Sequence, residues 1–203
     1  MPELLETAPA FDPWLPGNNL TEVYDWEKVF AERRTLEIEL GAGDGSFMME
    51  WARRHPQTNF VALERLLGRV KKIAKRSVRE NLRNVRALRL ESAYFLKYLC
   101  PAESVSVLHV MFPDPWPKRK HHRHRLVQPE FIEACHKVLQ SGGTLRFTTD
   151  HQDYFLWTTR HWGEAKGWEE VGPWDASGDP KSDFELEFEK EGRAVYRMRW
   201  RKV

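Results

Sequence analysis

Carboxylates, glycines and cations fall at spacings that suit small-molecule and nucleic-acid chemistry. Residues 35–46 read Thr-Leu-Glu-Ile-Glu-Leu-Gly-Ala-Gly-Asp-Gly-Ser, an alternating run that enters a G-x-G-x-G loop. Glycines at Gly41, Gly43 and Gly45 allow close approach of the backbone, whose N–H groups cradle a ligand. The spacing differs from the G-x-G-x-x-G of dinucleotide binders. Glu37, Glu39 and Asp44 crowd the loop. These acids repel a pyrophosphate and suit a ligand carrying an amine cation and a sulfonium. Glu64 follows 19 residues after Gly45, at the end of the next apolar run, where an acid accepts both ribose hydroxyls. Charge complementarity favours S-adenosylmethionine over a nicotinamide cofactor. Glu91 follows the third apolar run and reads equally as an acceptor for an adenine amine or as an exposed loop acid.

Residues 112–125 read Phe-Pro-Asp-Pro-Trp-Pro-Lys-Arg-Lys-His-His-Arg-His-Arg. Three prolines stiffen the chain and forbid helix over the first six residues, so Asp114 and Trp116 are presented from a rigid loop. An acid beside an aromatic suits a planar base, the ring stacking and the carboxylate accepting from an N–H edge. Five Lys/Arg and three His follow without an acid, placed for phosphate contacts. A solvated loop is the bland alternative for this run. His121, His122 and His124 lie among cations with no acid or Cys beside them, so no metal is expected.

The elements that must position these groups alternate. Strands are expected over Thr35–Leu40, Phe60–Leu63, Val85–Leu90, Val105–Phe112 and Leu145–Thr149. Helices are expected over Ser46–His55, after Glu64, near Tyr94–Leu99, over Phe131–Leu139 and after Asp150. The tail ends in strand-like runs at Phe184–Phe188 and Val195–Trp200. This order argues for an α/β fold with an open, mostly parallel, doubly wound sheet and ligands at the carboxyl ends of its strands. In the helix after Glu64, Arg65, Arg69, Lys72, Arg76 and Arg79 share one face, opposite Leu66, Leu67, Val70, Ile73, Ala74 and Val78. Residues 1–20 hold four prolines and read as an N-terminal arm, leaving 21–203 as a single domain.

The 203 residues carry 32 Lys+Arg against 30 Asp+Glu, yet the distribution is uneven. Residues 1–64 hold 5 basic and 12 acidic side chains, a net of −7. Residues 65–125 hold 16 and 4, a net of +12, a local nucleic-acid footprint inside a balanced chain. No apolar run approaches the ~18 residues of a membrane span, and the start lacks the pattern of a secretory signal. Two cysteines, Cys100 and Cys135, exclude a disulfide scaffold and fit a reducing, cytoplasmic setting.

The segment Phe-Pro-Asp-Pro-Trp-Pro-Lys-x-x-His-His, with Glu-Leu-Gly-Ala-Gly-Asp-Gly before it and Thr-Thr-Asp after it, resembles the bacterial tRNA (guanine-N7)-methyltransferase family over about residues 20–203. The resemblance implies a Rossmann-like class I methyltransferase fold with an antiparallel C-terminal strand, S-adenosylmethionine as cofactor and tRNA as partner. It places Glu39, Glu64, Glu91 and Asp114 at cofactor-contacting positions, beside the loop glycines, with Asp114 also the catalytic acid. It places Lys118 and Asp150 at the substrate, with Ser182, Asp183, Phe184 and Glu185 in a late substrate motif. Residues 120–125 (Lys120, His121, His122, Arg123, His124 and Arg125) match an RNA-contacting stretch. Glu91 stands where the family usually has Asp, Ser182 where it has Thr, and Glu187 where a basic residue is common. The methyl acceptor implied is N7 of a guanine in the variable loop. Asp-Pro-Trp also echoes methyltransferases of exocyclic amines, and an inactive RNA-binding module fits the basic third equally well. Oligomeric state, monomer or homodimer, stays open at this level.

Overall fold

Alternation along the strands sorts side chains into two cores, one on each face of a seven-stranded sheet. In the computed structural model, which describes residues 12–15 and 20–203, the strands are β1 (Thr35–Leu40), β2 (Thr58–Glu64), β3 (Val85–Arg89), β4 (Val105–Met111), β5 (Leu139–Thr149), β6 (Trp168–Gly172) and β7 (Tyr196–Lys202). Their order is β3-β2-β1-β4-β5-β7-β6, with β7 antiparallel to both β5 and β6 and the other pairings parallel. Phe60 and Ala62 of β2 face a core shared with α2 (Ser46–Arg54) and α3 (Leu67–Arg79). Val61 and Leu63 face the other core, built with α5 (Pro129–Val138) and α6 (Gln152–Glu164). Period-two burial on both faces is what a doubly wound sheet requires. Among the described residues no helix is long and apolar enough to cross a membrane.

β1 is the informative strand. Leu36, Ile38 and Leu40 enter the α5/α6-side core, while Glu37 and Glu39 point to the opposite face. Glu37 is satisfied there: Trp51 Nε1 donates to it at 2.9 Å and His109 Nε2 lies at 2.7 Å. Burial pushes the Glu37 carboxyl up, but the His109 hydrogen bond and charge, then Trp51, outweigh it and the net direction is down. Glu37 therefore belongs to the sheet–α2 packing, although the sequence groups it with the loop acids.

Three expectations change. Phe184–Phe188, read as a strand, lies in the helix α7 (Asp183–Lys190). Ser182 accepts from the Glu185 N–H at 3.2 Å as an N-cap, and this cap outweighs the apparent Phe-Glu-Leu-Glu-Phe alternation. Phe184 and Phe188, four apart, stack with centroids 6.2 Å apart. β6 has no counterpart in the sequence reading, its Trp-Glu-Glu-Val-Gly run being too polar to signal a strand. On α3 only Val70, Ile73, Ala74 and Ser77 are buried, while Leu66, Leu67 and Val78 are 53%, 38% and 54% exposed. The apolar stripe of that helix is narrower than its sequence suggests.

The N-terminal arm lies outside the described residues except for Leu20 and for 12–15, which run along β3: Leu15 N–H donates to Ala87 O and Ala87 N–H to Pro13 O. Of the late tryptophans, Trp162 and Trp200 are buried and stacked, 4.6 Å between centroids. Short helices α1 (Trp26–Val29) and α4 (Ser92–Tyr94), with a π-helical turn over Phe95–Leu99, complete the fold.

Candidate active site at the carboxyl ends of the strands

The loop after β1 needs backbone that side-chained residues rarely adopt. Gly41, Gly43 and Gly45 have φ of +83°, +59° and +81°. At Gly45 the helix α3 also presses close, since a Cβ there would lie 2.7 Å from Ile73 Cγ1. Gly41 and Ala42 donate to Leu63 O at 3.0 and 2.7 Å, tying the loop to the end of β2.

Glu64 closes that junction. One carboxylate oxygen accepts from Gly43 N–H at 3.0 Å and the other from Leu66 N–H at 2.8 Å, with Arg69 at 3.7 Å. Glu39 is 2% exposed, and its Oε2 has no hydrogen-bond partner. Burial drives its carboxyl well above the usual range, and the charges of Asp44 and Glu64 push in the same direction. An unpaired buried carboxylate costs free energy that a cation would recover. The site thus fits a ligand that brings a positively charged amine to Glu39, which the amino-acid end of S-adenosylmethionine supplies.

α7 lies across the glycine loop. Asp183 N–H donates to Ser46 Oγ at 3.0 Å, and the Phe184 ring lies over Gly43. The Asp183 carboxyl is pushed up by its hydrogen bond with Asp44 and then by burial. Asp44 goes down, because hydrogen bonds from Asp183 and Ser46 outweigh its own burial. Glu185 is buried against Arg197, so its side chain turns inward.

A cavity of about 690 Å³ is lined by Gly41, Gly43, Glu64, Glu91, Asp114 and Phe184 among others, and a smaller one of about 140 Å³, which shares Gly41, Gly43 and Phe184 with it, takes in Glu39, Asp44 and Asp183. The expected positions from β1, β2, β3 and β4 therefore converge. Glu91 is exposed and caps α4, accepting from Ala93 and Tyr94 N–H at 2.9 and 2.7 Å. Asp114 is exposed, with Trp116 beside it. Phe112 and Trp116 have φ of +51° and +42°, a region in which a bulky residue costs on the order of 1–3 kcal/mol. Asp150, at the end of β5, pairs with Arg193 at 3.0 Å.

The basic run is partly a 3₁₀ helix, Arg119–His124. Lys118, Arg119, Lys120, Arg123 and His124 are exposed, whereas His121 and His122 are half-buried. Rings of His121 and His124 pack round Trp116, with centroids 5.9 and 5.1 Å away. Arg125 departs from expectation: its side chain has no exposed surface and lies between Tyr154 and Trp157 of α6, so it is not on the surface an RNA would meet. Arg69, Arg193 and Arg197 were missed as site residues. Arg69 was legible only as one cation on a helix face, and the other two meet their acids through tertiary contacts with no local signal.

A mostly parallel sheet wound on both faces, with β7 inserted antiparallel between β5 and β6, a glycine loop after β1 and an acid at the end of β2, is the arrangement of the Rossmann-like class I methyltransferases. The fold is shared with the 16S rRNA methyltransferase KamB, at TM-score 0.63 and 18% identity over 92% of this chain and 97% of that one. It is shared also with SMU.1697c of Streptococcus mutans, a putative methyltransferase in complex with SAH, at TM-score 0.55 and 12% identity over 85% and 90% of the two chains. Residues 33–198 match the profile of a family of putative methyltransferases. The tRNA (guanine-N(7)-)-methyltransferase of Syntrophotalea carbinolica is 32% identical over 90% of this chain and 81% of its own. That of Geobacter metallireducens is 30% identical over 100% and 98%. The chain belongs to the tRNA (guanine-N(7)-)-methyltransferase family.

Proposed function

We infer that this protein is an S-adenosylmethionine-dependent tRNA (guanine-N7)-methyltransferase acting on a guanine of the variable loop. The observation that carries the reading is the single cavity in which Glu64, Glu91 and Asp114 meet the glycine loop. S-adenosylmethionine, when bound, supplies an electrophilic sulfonium methyl. Glu39 would take its amine, Glu64 its ribose hydroxyls and Glu91 its adenine amine.

Guanine N7 carries a lone pair and no proton, so the protein need supply no strong base. Its task is to hold the acceptor in line and to offset the positive charge that arrives on the purine. Asp114 and Asp150 would hold the guanine edge, and their negative charge favours the cationic product. Fixed alignment of two reactants supplies much of the gain, effective molarities reaching on the order of 10⁵ M in well-oriented systems. Asp150 must exchange its Arg193 partner for the base. Phe184, 43% exposed over the glycine loop, is placed to cover a bound ligand with Ser182 and Asp183. Glu185 acts through Arg197, shaping α7 from beneath. Lys118, Lys120, Arg123 and the neighbouring histidines would dock phosphates. The single-domain reading of 21–203 accords with one sheet drawing strands from residues 35–202.

The test is incubation with labelled S-adenosylmethionine and unmodified tRNA, followed by borohydride–aniline cleavage at 7-methylguanine. Cleavage in the variable loop, lost in Asp114→Ala, is the expected result. Label without cleavage would move the acceptor to an amine or ribose, and no label with intact RNA binding would leave only a binding module.

A further inference from the structure

We infer that Arg125 is a positioning residue rather than an RNA contact: it pins the loop that presents Asp114 against α6, the helix that begins just after Asp150. The inference rests on the reading above only for the role of Asp114. Arg125 Nε donates to Pro115 O at 2.9 Å and its Nη2 to Asp153 Oδ2 at 2.5 Å. The guanidinium lies over the rings of Tyr154 and Trp157, 5.0 and 5.1 Å from their centroids. α6 grips the next turn as well, since Val127 N–H donates to Tyr154 Oη at 3.2 Å and Trp157 Nε1 to Val127 O at 2.9 Å.

The loop requires such a hold. Phe112 and Trp116, two residues to either side of Asp114, both have positive φ, and strained backbone persists only where its surroundings over-determine it. Pro113, Pro115 and Pro117 have no N–H, so their carbonyls are their only backbone handles. Among the described residues, the bond from Arg125 is the one hydrogen bond made to the backbone of residues 113–117. Its geometry uses a planar fork between two rings, which a lysine ammonium does not reproduce. Arg125 Nη1 is buried without a hydrogen-bond partner, so the guanidinium is held by its Nε and Nη2 bonds and by the two rings. The neighbouring exposed cations Lys118, Arg119, Lys120 and Arg123 are left to meet phosphate.

The experiment compares wild type, Arg125→Lys and Lys120→Ala as full-length proteins. It measures steady-state kinetics, tRNA affinity against salt concentration, and amide hydrogen exchange at Phe112 and Val127, whose N–H groups donate to Thr148 O and Tyr154 Oη. For Arg125→Lys we expect kcat to fall by about tenfold or more, tRNA affinity and its salt slope to stay unchanged, and exchange at those amides to quicken. Lys120→Ala should instead lower the salt slope by about one, as loss of one phosphate contact does. A reduced salt slope in Arg125→Lys with unchanged amide exchange would overturn the inference, because that is the signature of an RNA contact. Unchanged kcat and exchange would overturn it too. Should Arg125→Lys fail to fold, Asp153→Asn removes only the exposed partner of the guanidinium: quicker exchange at the same amides supports the pin, and unchanged exchange refutes it. A wild type that makes no 7-methylguanine defeats the functional reading, while the exchange result still decides the pin.

Discussion

Replacing Glu39 by Gln should make the free protein more stable and the cofactor bind worse, two effects of one cause. Glu39 is 2% exposed, its Oε2 has no partner, and burial together with Asp44 and Glu64 raises its carboxyl pKa. Leaving a buried charged group unsatisfied costs about 1–3 kcal/mol or more. A neutral amide of the same shape removes the repulsion from the two acids, so we expect a gain of about 2 kcal/mol at pH 7.5, after allowing for the amide's own unmet hydrogen bonds. For a chain of this size that corresponds to a rise in Tm of roughly 4–8 °C. The sign follows from linkage. A carboxyl raised by folding destabilises the native state above its unfolded pKa, and the penalty fades as pH falls and both states hold the proton. The advantage of Glu39→Gln should therefore shrink steadily below neutral pH and be gone near pH 4. Against the cofactor the variant loses a charge-assisted contact of about 1.5–3 kcal/mol, some 10- to 150-fold in Kd. Urea unfolding with and without S-adenosylhomocysteine, together with calorimetric titration, reads both quantities. A variant less stable than wild type at pH 7.5, or one with its Kd within twofold of wild type, would refute this account of Glu39.

Other outcomes follow from local geometry. Gly41→Ala and Gly45→Ala both place a Cβ at positive φ, costing about 1–2 kcal/mol, but only Gly45 meets Ile73, at 2.7 Å. Denaturant unfolding should show Gly45→Ala worse by a further 1–3 kcal/mol, roughly the cost of overpacking. Ser182→Ala removes the N-cap of α7, worth about 1 kcal/mol, and should speed amide exchange at Asp183–Glu185 while leaving exchange in β1 unchanged. Glu80, held at about 2 by hydrogen bonds from Arg76, Arg79 and Arg53 that outweigh its burial, contributes stability above its unfolded pKa of 4.5 that is lost as pH falls toward 2. Glu80→Gln should cost about 1 kcal/mol at pH 7, discounted for solvent screening, and the difference from wild type should close by pH 2 in an acid unfolding series.

Much of this molecule was determined by sequence alone, because the decisive signals are local. The alternation through Thr35–Leu40, the glycines that follow and the Glu64 that ends β2 need only neighbours in the chain to be read, and β1 to β4 form within a residue or two of where that pattern puts them. The proline-rich segment is likewise self-declaring, since its prolines forbid helix wherever they stand. Tertiary structure decided what depends on partners distant in sequence. Glu37 and Glu39 are identical by type and spacing, but His109 and Trp51 satisfy one, whereas the other keeps a buried Oε2 without a partner. Asp150 meets Arg193 and Glu185 meets Arg197 across connections that carry no periodic signal. The α7 segment alternates like a strand, but it lies outside the sheet as a helix across the glycine loop, with Asp183 N–H on Ser46. Arg125 is the sharpest case. In sequence it is one more cation in a basic run, and only the placement of Tyr154, Trp157 and Asp153 on α6 takes it out of solvent and onto the loop that carries Asp114. Residue type and spacing state which chemistry is available, whereas burial, which depends on the whole fold, selects the charges that remain free to perform it.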